Sequence, residues 1–131
     1  MARILAVDDE LTILDVVSTL LQADGHEVVT EIDAEKAKGL ITSEKFDLLV
    51  SDIRMVPVSG MELLRYAHEH APEMLVIMLT AYSQVDTALE AMELGAFDYV
   101  KKPFRPNHLM DIVNKAIASR DIEQDDKSGS M

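Results

Sequence analysis

The chain has no cysteine. That removes a disulfide framework, thiolate zinc sites and cysteine nucleophiles from consideration. Basic residues are scarce: 12 Lys and Arg stand against 24 Asp and Glu, a formal net charge of −12, and the isoelectric point is near 4.5. Phosphate backbones are held by basic footprints, so direct nucleic-acid binding is disfavoured. Cations or a basic partner surface suit such a chain better. No apolar run approaches the ~20 residues that span a bilayer, and no lipidation motif is visible. The opening stretch from Met1 to Glu10 does not read as a signal peptide, because its short apolar segment ends in three acids. These absences together predict a soluble cytoplasmic protein with no membrane partner. No sequence repeat at a fixed period is found.

What is present is enough for a core. The chain has 131 residues, 48% of them hydrophobic, with a mean hydropathy of +0.06. One domain is expected, since domains commonly run ~100–200 residues. Apolar and polar segments alternate along it. Ile4–Val7 reads as a buried strand, and Glu10–Asp24 as a helix with Leu14, Val17 and Leu21 on one face, stopped by Gly25. Glu27–Ile32 reads as a strand, Ala34–Ser43 as a helix weakened by Gly39, and Asp47–Ser51 as a third strand. A loop around Pro57 leads to a helix over Met61–His70, ended by Pro72; Leu75–Leu79 is a fourth strand. Val85, Ala88, Leu89 and Met92 share a helical face closed by Gly95. Phe97–Val100 is a fifth strand, and Leu109, Ile112, Val113, Ala116 and Ile117 mark the last helix. Residues 121–131 have almost nothing to bury and read as a disordered tail or linker stub after a domain of residues 1–120.

Five strand–helix units with continuously apolar strands predict an α/β fold, a parallel sheet between two helix layers. Ligands of such sheets bind at the carboxyl ends of the strands. The first strand runs into Asp8, Asp9 and Glu10, the third into Asp52, the fourth into Thr80, and the fifth into Lys101 and Lys102. Convergent carboxylates repel, and a hard divalent cation offsets that; oxygen ligands without His or Cys fit Mg²⁺ or Mn²⁺. A lysine anchors an anion as a point charge, and a threonine hydroxyl adds a hydrogen bond. Carboxylates, cation, lysine and hydroxyl describe a phosphoryl site, with one aspartate available as the nucleophile. Singly these residues have plainer uses: strand-end aspartates make turns and helix caps, Thr80 an N-cap, and Lys102 a solvated charge. Their coincidence at separate strand ends is the signal. The histidines do not contribute: His68 and His70 point to different faces of one helix, and His26 and His108 are isolated.

Four segments, in order, resemble the receiver domain of bacterial two-component response regulators over about residues 3–119. They are Val7-Asp8-Asp9-Glu10, Ser51-Asp52-Ile53-Arg54-Met55, Leu79-Thr80-Ala81-Tyr82 and the stretch from Gly95 to Phe104. Residues 84–106 resemble receivers of nitrogen-regulator-like transcription factors most. The resemblance implies a doubly wound (βα)5 sheet with the flavodoxin-like strand order 2-1-3-4-5. It implies a phosphorylation-controlled switch rather than a turnover enzyme, one that catalyses only its own phosphotransfer and dephosphorylation. Asp52 would be the phosphoacceptor. Asp9 and Asp52 would ligate Mg²⁺ with the backbone carbonyl of Arg54, and Asp8 would support it, through water. Thr80 would bond a phosphoryl oxygen near the Ala81 amide. Lys102, but not Lys101, would pair with the phosphoryl group, and the Lys102–Pro103 bond is often cis in this family. Thr80 and Tyr99 would be the switch pair, reshaping the surface of helix 4, strand 5 and helix 5. Implied partners are a sensor histidine kinase and, through that surface, a homodimer or effector domain. Helix 4 carries Asp86, Glu90 and Glu93 on its outside.

One departure stands out. The family commonly reads Met-Pro after the acceptor; here Met55-Val56-Pro57-Val58-Ser59-Gly60 moves the proline by one while Gly60 keeps its distance from Asp52. Arg54 and Tyr82 flank the site and would tune water access and acyl-phosphate lifetime. Three other readings compete. A metal-dependent aspartyl phosphatase usually carries a second acid two residues after its nucleophile, where this chain has Arg54. A flavodoxin-like binding module needs a phosphate-cradling loop after strand 1, where three acids would repel a nucleotide. A degenerate receiver used as a scaffold would not need the intact acidic, threonine and lysine set.

Overall fold

In the computed structural model, residues 2–55, 57–81 and 85–129 are described. The elements alternate as β1 (Arg3–Val7), α1 (Leu11–Ala23), β2 (Glu27–Glu31), α2 (Ala34–Ser43), β3 (Leu48–Asp52), α3 (Gly60–His70), β4 (Leu75–Ala81), α4 (Val85–Glu93), β5 (Asp98–Lys102) and α5 (Pro106–Gly129). The five strands form one sheet in the order β2-β1-β3-β4-β5, and each neighbouring pair is parallel. This is the doubly wound order expected from the sequence. Its direction reverses between β1 and β3, the place where open α/β sheets present a crevice.

The two sheet faces bury different residues because side chains alternate along a strand. Leu5, Val7, Leu49, Val76 and Met78 face α2, α3 and α4, packing with Ala37, Ile41, Leu63, Leu64, Ala67, Ala88 and Ala91. Ile4, Ala6, Leu48, Val50, Ile77, Leu79 and Val100 face α1 and α5, packing with Leu14, Val17, Leu21, Leu109, Val113 and Ala116. Burial on both faces is what a parallel sheet requires.

Helix ends follow their local chemistry. Gly25 and Gly95 take φ of 90° and 103°, the left-handed conformation that closes α1 and α4. The reciprocal bonds Gly25 N to Gln22 O (3.0 Å) with His26 N to Leu21 O (3.1 Å) close the first, and Gly95 N to Met92 O with Ala96 N to Ala91 O (both 3.0 Å) close the second. Ser59 caps α3 by accepting the Glu62 N–H at 3.1 Å.

The structure departs from the sequence reading in three places. Both β4 and β5 run two residues further than expected, so Thr80 and Lys102 lie within paired strand rather than after it. Leu89, expected on the buried face of α4, is 52% exposed; Ala88 is buried as expected, and Ala91 is buried beside it; the side chain of Val85, and Ser83 and Gln84, lie outside the described residues. The backbone of α5 continues as helix to Gly129, past the expected end of regular structure near Arg120. Among the described residues no helix is long and apolar enough to cross a membrane.

Candidate functional site

Strand parity decides which side chains meet. Asp52 continues the Leu48–Val50 side of β3, Lys102 continues the Val100 side of β5, and Asp8 follows Ile4 and Ala6, so all three belong to the face under α1 and α5. A one-residue offset reverses the face, which is why Lys102 enters the site and exposed Lys101 does not. Lys102 Nζ donates to Asp8 Oδ2 at 2.8 Å, lies 3.4 Å from Asp52 Oδ1 and 3.8 Å from Glu10 Oε1. Asp8 Oδ1 accepts the backbone N–H of Glu10 at 2.9 Å. Asp8 thus serves as both a turn residue at the start of α1 and a partner of the half-buried Lys102.

Asp8 is fully buried and Asp52 nearly so, whereas Asp9 and Glu10 are exposed. Burial, reinforced by the charge of Asp8, pushes the Asp52 carboxyl up to about 6; Lys102 pulls the other way without cancelling it. Burial likewise raises Asp8 against the hydrogen bonds from Lys102 and the Glu10 backbone. Burial alone would lower Lys102, but its hydrogen bond to Asp8 and the charges of Asp52, Asp8 and Glu10 together leave it raised. One lysine therefore does not neutralise the acids around it. Asp8, Asp9 and Glu10 also place one carboxylate oxygen each within 4.8 Å of the others. This under-compensated, all-oxygen donor set fits a hard divalent cation. Among the described residues no histidine joins such a cluster.

Thr80 and Tyr99 belong to the opposite parity, on the side of α2, α3 and α4. Thr80 is buried, and its hydroxyl donates to the Ala81 carbonyl at 3.1 Å. Tyr99 is half-buried against the core of that side, opposite Met78 in the β4–β5 ladder. It also lines a groove of about 1020 Å³ shared with Lys101, Phe104, Arg105, His108 and Ile112. The Lys102–Pro103 peptide is cis. Arg54 is exposed, Val56 and Tyr82 lie outside the described residues, and Met55 and Val58 of the displaced-proline loop are buried.

The sequence missed two neighbours of Asp52. Its carbonyl oxygen accepts the hydroxyl of buried Ser51 at 3.0 Å, and Gly60 at the start of α3 comes so close that a Cβ there would sit 1.9 Å from that oxygen. Only the spacing of Gly60 from Asp52 pointed to either.

Known proteins agree with this architecture. A family model of the response regulator receiver domain matches residues 4–114, and the chain belongs to that family. It is a receiver domain of two-component response regulators, similar to those of nitrogen-regulator-like proteins. The alginate biosynthesis transcriptional regulatory protein AlgB of Pseudomonas aeruginosa is 38% identical over 120 residues, covering 92% of this chain and 27% of AlgB. The regulatory protein AtoC of Escherichia coli is 36% identical over 123 residues, 94% of this chain and 27% of AtoC. The structure of a response regulator receiver domain protein from Clostridium thermocellum superposes with a TM-score of 0.88 at 36% identity, covering 93% of this chain and 98% of that one. NtrX from Brucella abortus superposes with a TM-score of 0.92 at 31% identity, covering 97% of this chain and 29% of NtrX. The chain thus spans about a quarter of the length of AlgB and AtoC. Receivers of this family are typically not turnover enzymes, and nothing in these likenesses supports an aspartyl phosphatase.

Proposed function

We propose that this receiver accepts a phosphoryl group on Asp52 from a phosphohistidine of a sensor kinase and uses it as a conformational switch. The observation that carries the proposal is the position of Lys102 Nζ, 2.8 Å from Asp8 and 3.4 Å from Asp52. A carboxylate nucleophile and a cation able to hold the incoming group stand together at the carboxyl end of the sheet. Asp9 and Asp52, the Arg54 carbonyl and, through water, Asp8 would hold Mg²⁺ (or Mn²⁺). That ion would supply charge neutralisation at the phosphoryl oxygens.

An Asp52 carboxylate oxygen attacks phosphorus. The P–N bond to the kinase imidazole breaks, and the imidazole leaves as the neutral ring once protonated. Lys102 pairs with the transferred group and keeps it in line. The product is a mixed anhydride, and water attack returns Asp52 and inorganic phosphate. Arg54 and Tyr82, two residues past Asp52 and Thr80 respectively in sequence, tune access of that water.

Phosphorylation adds dianionic charge and strong acceptor oxygens. Thr80 exchanges its bond to the Ala81 carbonyl for one to the phosphoryl group, and Tyr99 turns inward behind it. Moving a switch from 1% to 99% active takes ~5.5 kcal/mol. A few charge-assisted hydrogen bonds at ~1.5–3 kcal/mol each supply it. The surface that changes comprises α4, β5 and α5, including acidic Asp86, Glu90 and Glu93 and exposed Leu89. Its partner is a second copy or an effector domain rather than nucleic acid or a membrane, and the setting is the cytoplasm. The receiver unit ends near residue 120, with residues 121–131 as tail or linker.

The test is to phosphorylate the chain with a small acyl-phosphate donor and Mg²⁺, then reduce with borohydride, which converts an acyl phosphate to an alcohol. Peptide mapping is expected to find the reduced residue at position 52. A modified histidine, or no modification, refutes the proposal.

A further inference from the structure

Two oxygen donors of the proposed site lie two residues apart on one segment: the Asp52 carboxylate and the Arg54 carbonyl. The first residue of α3 presses directly on the segment that carries them. A Cβ built on Gly60 would meet Asp52 O at 1.9 Å, Ile53 Cα at 2.7 Å and Asp52 C at 2.8 Å, all backbone atoms. The Gly60 N–H donates to the Ile53 carbonyl at 2.8 Å. The buried Ser51 hydroxyl donates to the same Asp52 carbonyl at 3.0 Å.

We infer that Gly60 and Ser51 are positioning residues: both hold the Asp52–Ile53 peptide where β3 meets α3, and so set where the Asp52 carboxylate and the Arg54 carbonyl stand relative to Lys102. The inference rests on the phosphoacceptor reading of Asp52. It also explains how the loop tolerates its displaced proline. The closing contact lies at Gly60, whose distance from Asp52 the displaced proline leaves unchanged, and Ile53, Met55 and Val58 are buried.

An alanine at 60 forces α3 and the Asp52 peptide apart by about 1 Å, a displacement on the scale that costs ~100-fold in rate when it falls on reacting groups. Removing the Ser51 hydroxyl loses one hydrogen bond and leaves the Gly60 contact in place, so its effect is smaller, and threonine, which keeps the hydroxyl, restores it.

The experiment compares wild type, Gly60→Ala, Ser51→Ala, Ser51→Thr and Met74→Ala, a core truncation at the far end of β4 that controls for lost stability. Three quantities are read: the Mg²⁺ dissociation constant by calorimetry, the phosphorylation rate with a small acyl-phosphate donor at saturating Mg²⁺, and the thermal midpoint. Gly60→Ala is expected to weaken Mg²⁺ binding and to slow phosphorylation at least tenfold. Ser51→Ala is expected to do both to a lesser degree, and Ser51→Thr to recover, while Met74→Ala lowers only the midpoint. Midpoints that fall with unchanged Mg²⁺ affinity and rate overturn the inference. If Gly60→Ala does not fold, the Ser51 pair decides by the same criteria. If wild type binds Mg²⁺ but takes no phosphoryl group, the phosphoacceptor reading fails, and the Mg²⁺ constants still decide the positioning role. A wild type that does not bind Mg²⁺ overturns both.

Discussion

Replacing Asp52 with asparagine should stabilise the protein in the absence of divalent cations, and the gain should grow with pH. The Asp52 carboxyl lies at about 6 in the folded chain against 3.8 for the ordinary group, because burial and the charge of Asp8 outweigh the attraction of Lys102. The folded state therefore binds the proton more tightly than the unfolded state between those values. Stability falls as pH rises through that window and stays lowered above it. A shift of roughly two units, at about 1.4 kcal/mol each, amounts to about 3 kcal/mol above pH 6. Asparagine has nearly the same shape and no charge, so it escapes the penalty. For a chain of this size that is a rise in Tm on the order of 10 °C. The assay is urea unfolding followed by far-UV circular dichroism, since the chain has no tryptophan, at pH 5, 6, 7 and 8 with a chelator. Roughly half of the gap should already be present at pH 5, and nearly all of it by pH 7, because the penalty builds between 3.8 and about 6. Mg²⁺ should close the gap by stabilising wild type, by ~2.7 kcal/mol at a hundred times its dissociation constant. An Asp52→Asn protein equal to or less stable than wild type at pH 8, or a difference independent of pH, refutes the reasoning.

Lys102→Met should destabilise the protein by about 3 kcal/mol, because it strands Asp8 and Asp52 without their cation; Lys101→Met, at an exposed position one residue away, should stay within ~0.5 kcal/mol. Urea unfolding at pH 7 separates them, and equal effects would contradict the parity of β5. Two glycines should respond oppositely to alanine. Gly39 lies inside α2 with nothing within 4 Å of a new Cβ, so Gly39→Ala should stabilise by about 0.5–1 kcal/mol. Gly25 has equal room but a φ of +90°, so Gly25→Ala should cost about 1 kcal/mol. Thermal midpoints moving in the same direction would contradict the role given to the turn after α1.

Much of this was legible in the chain because hydrophobic patterning and turn chemistry are local. The apolar runs located all five strands, and Gly25 and Gly95 marked two helix ends through the conformation only they adopt readily. The acids after β1 and β3, Thr80 in β4 and Lys102 in β5 were visible because sheet topology brings strand ends together. What escaped was non-local or too fine. Leu89 fits a helical apolar stripe as well as Ala91 does, but α4 approaches β4 and β5 closely through alanines, and the larger residue is left outside. The contacts of Ser51 and Gly60 with the Asp52 peptide depend on where α3 lands after its loop, which no periodicity encodes. The paired ends of β4 and β5 outran the apolar run, since Lys101 and Lys102 pair through their backbones whatever their side chains.

The most direct measurement is intact mass after incubation with a small acyl-phosphate donor, with and without Mg²⁺, for wild type and Asp52→Asn. The account predicts that wild type gains one phosphoryl group only when Mg²⁺ is present, and that Asp52→Asn gains none. A phosphoryl group on Asp52→Asn, or none on wild type with Mg²⁺ present, would contradict the assignment of Asp52 as the acceptor.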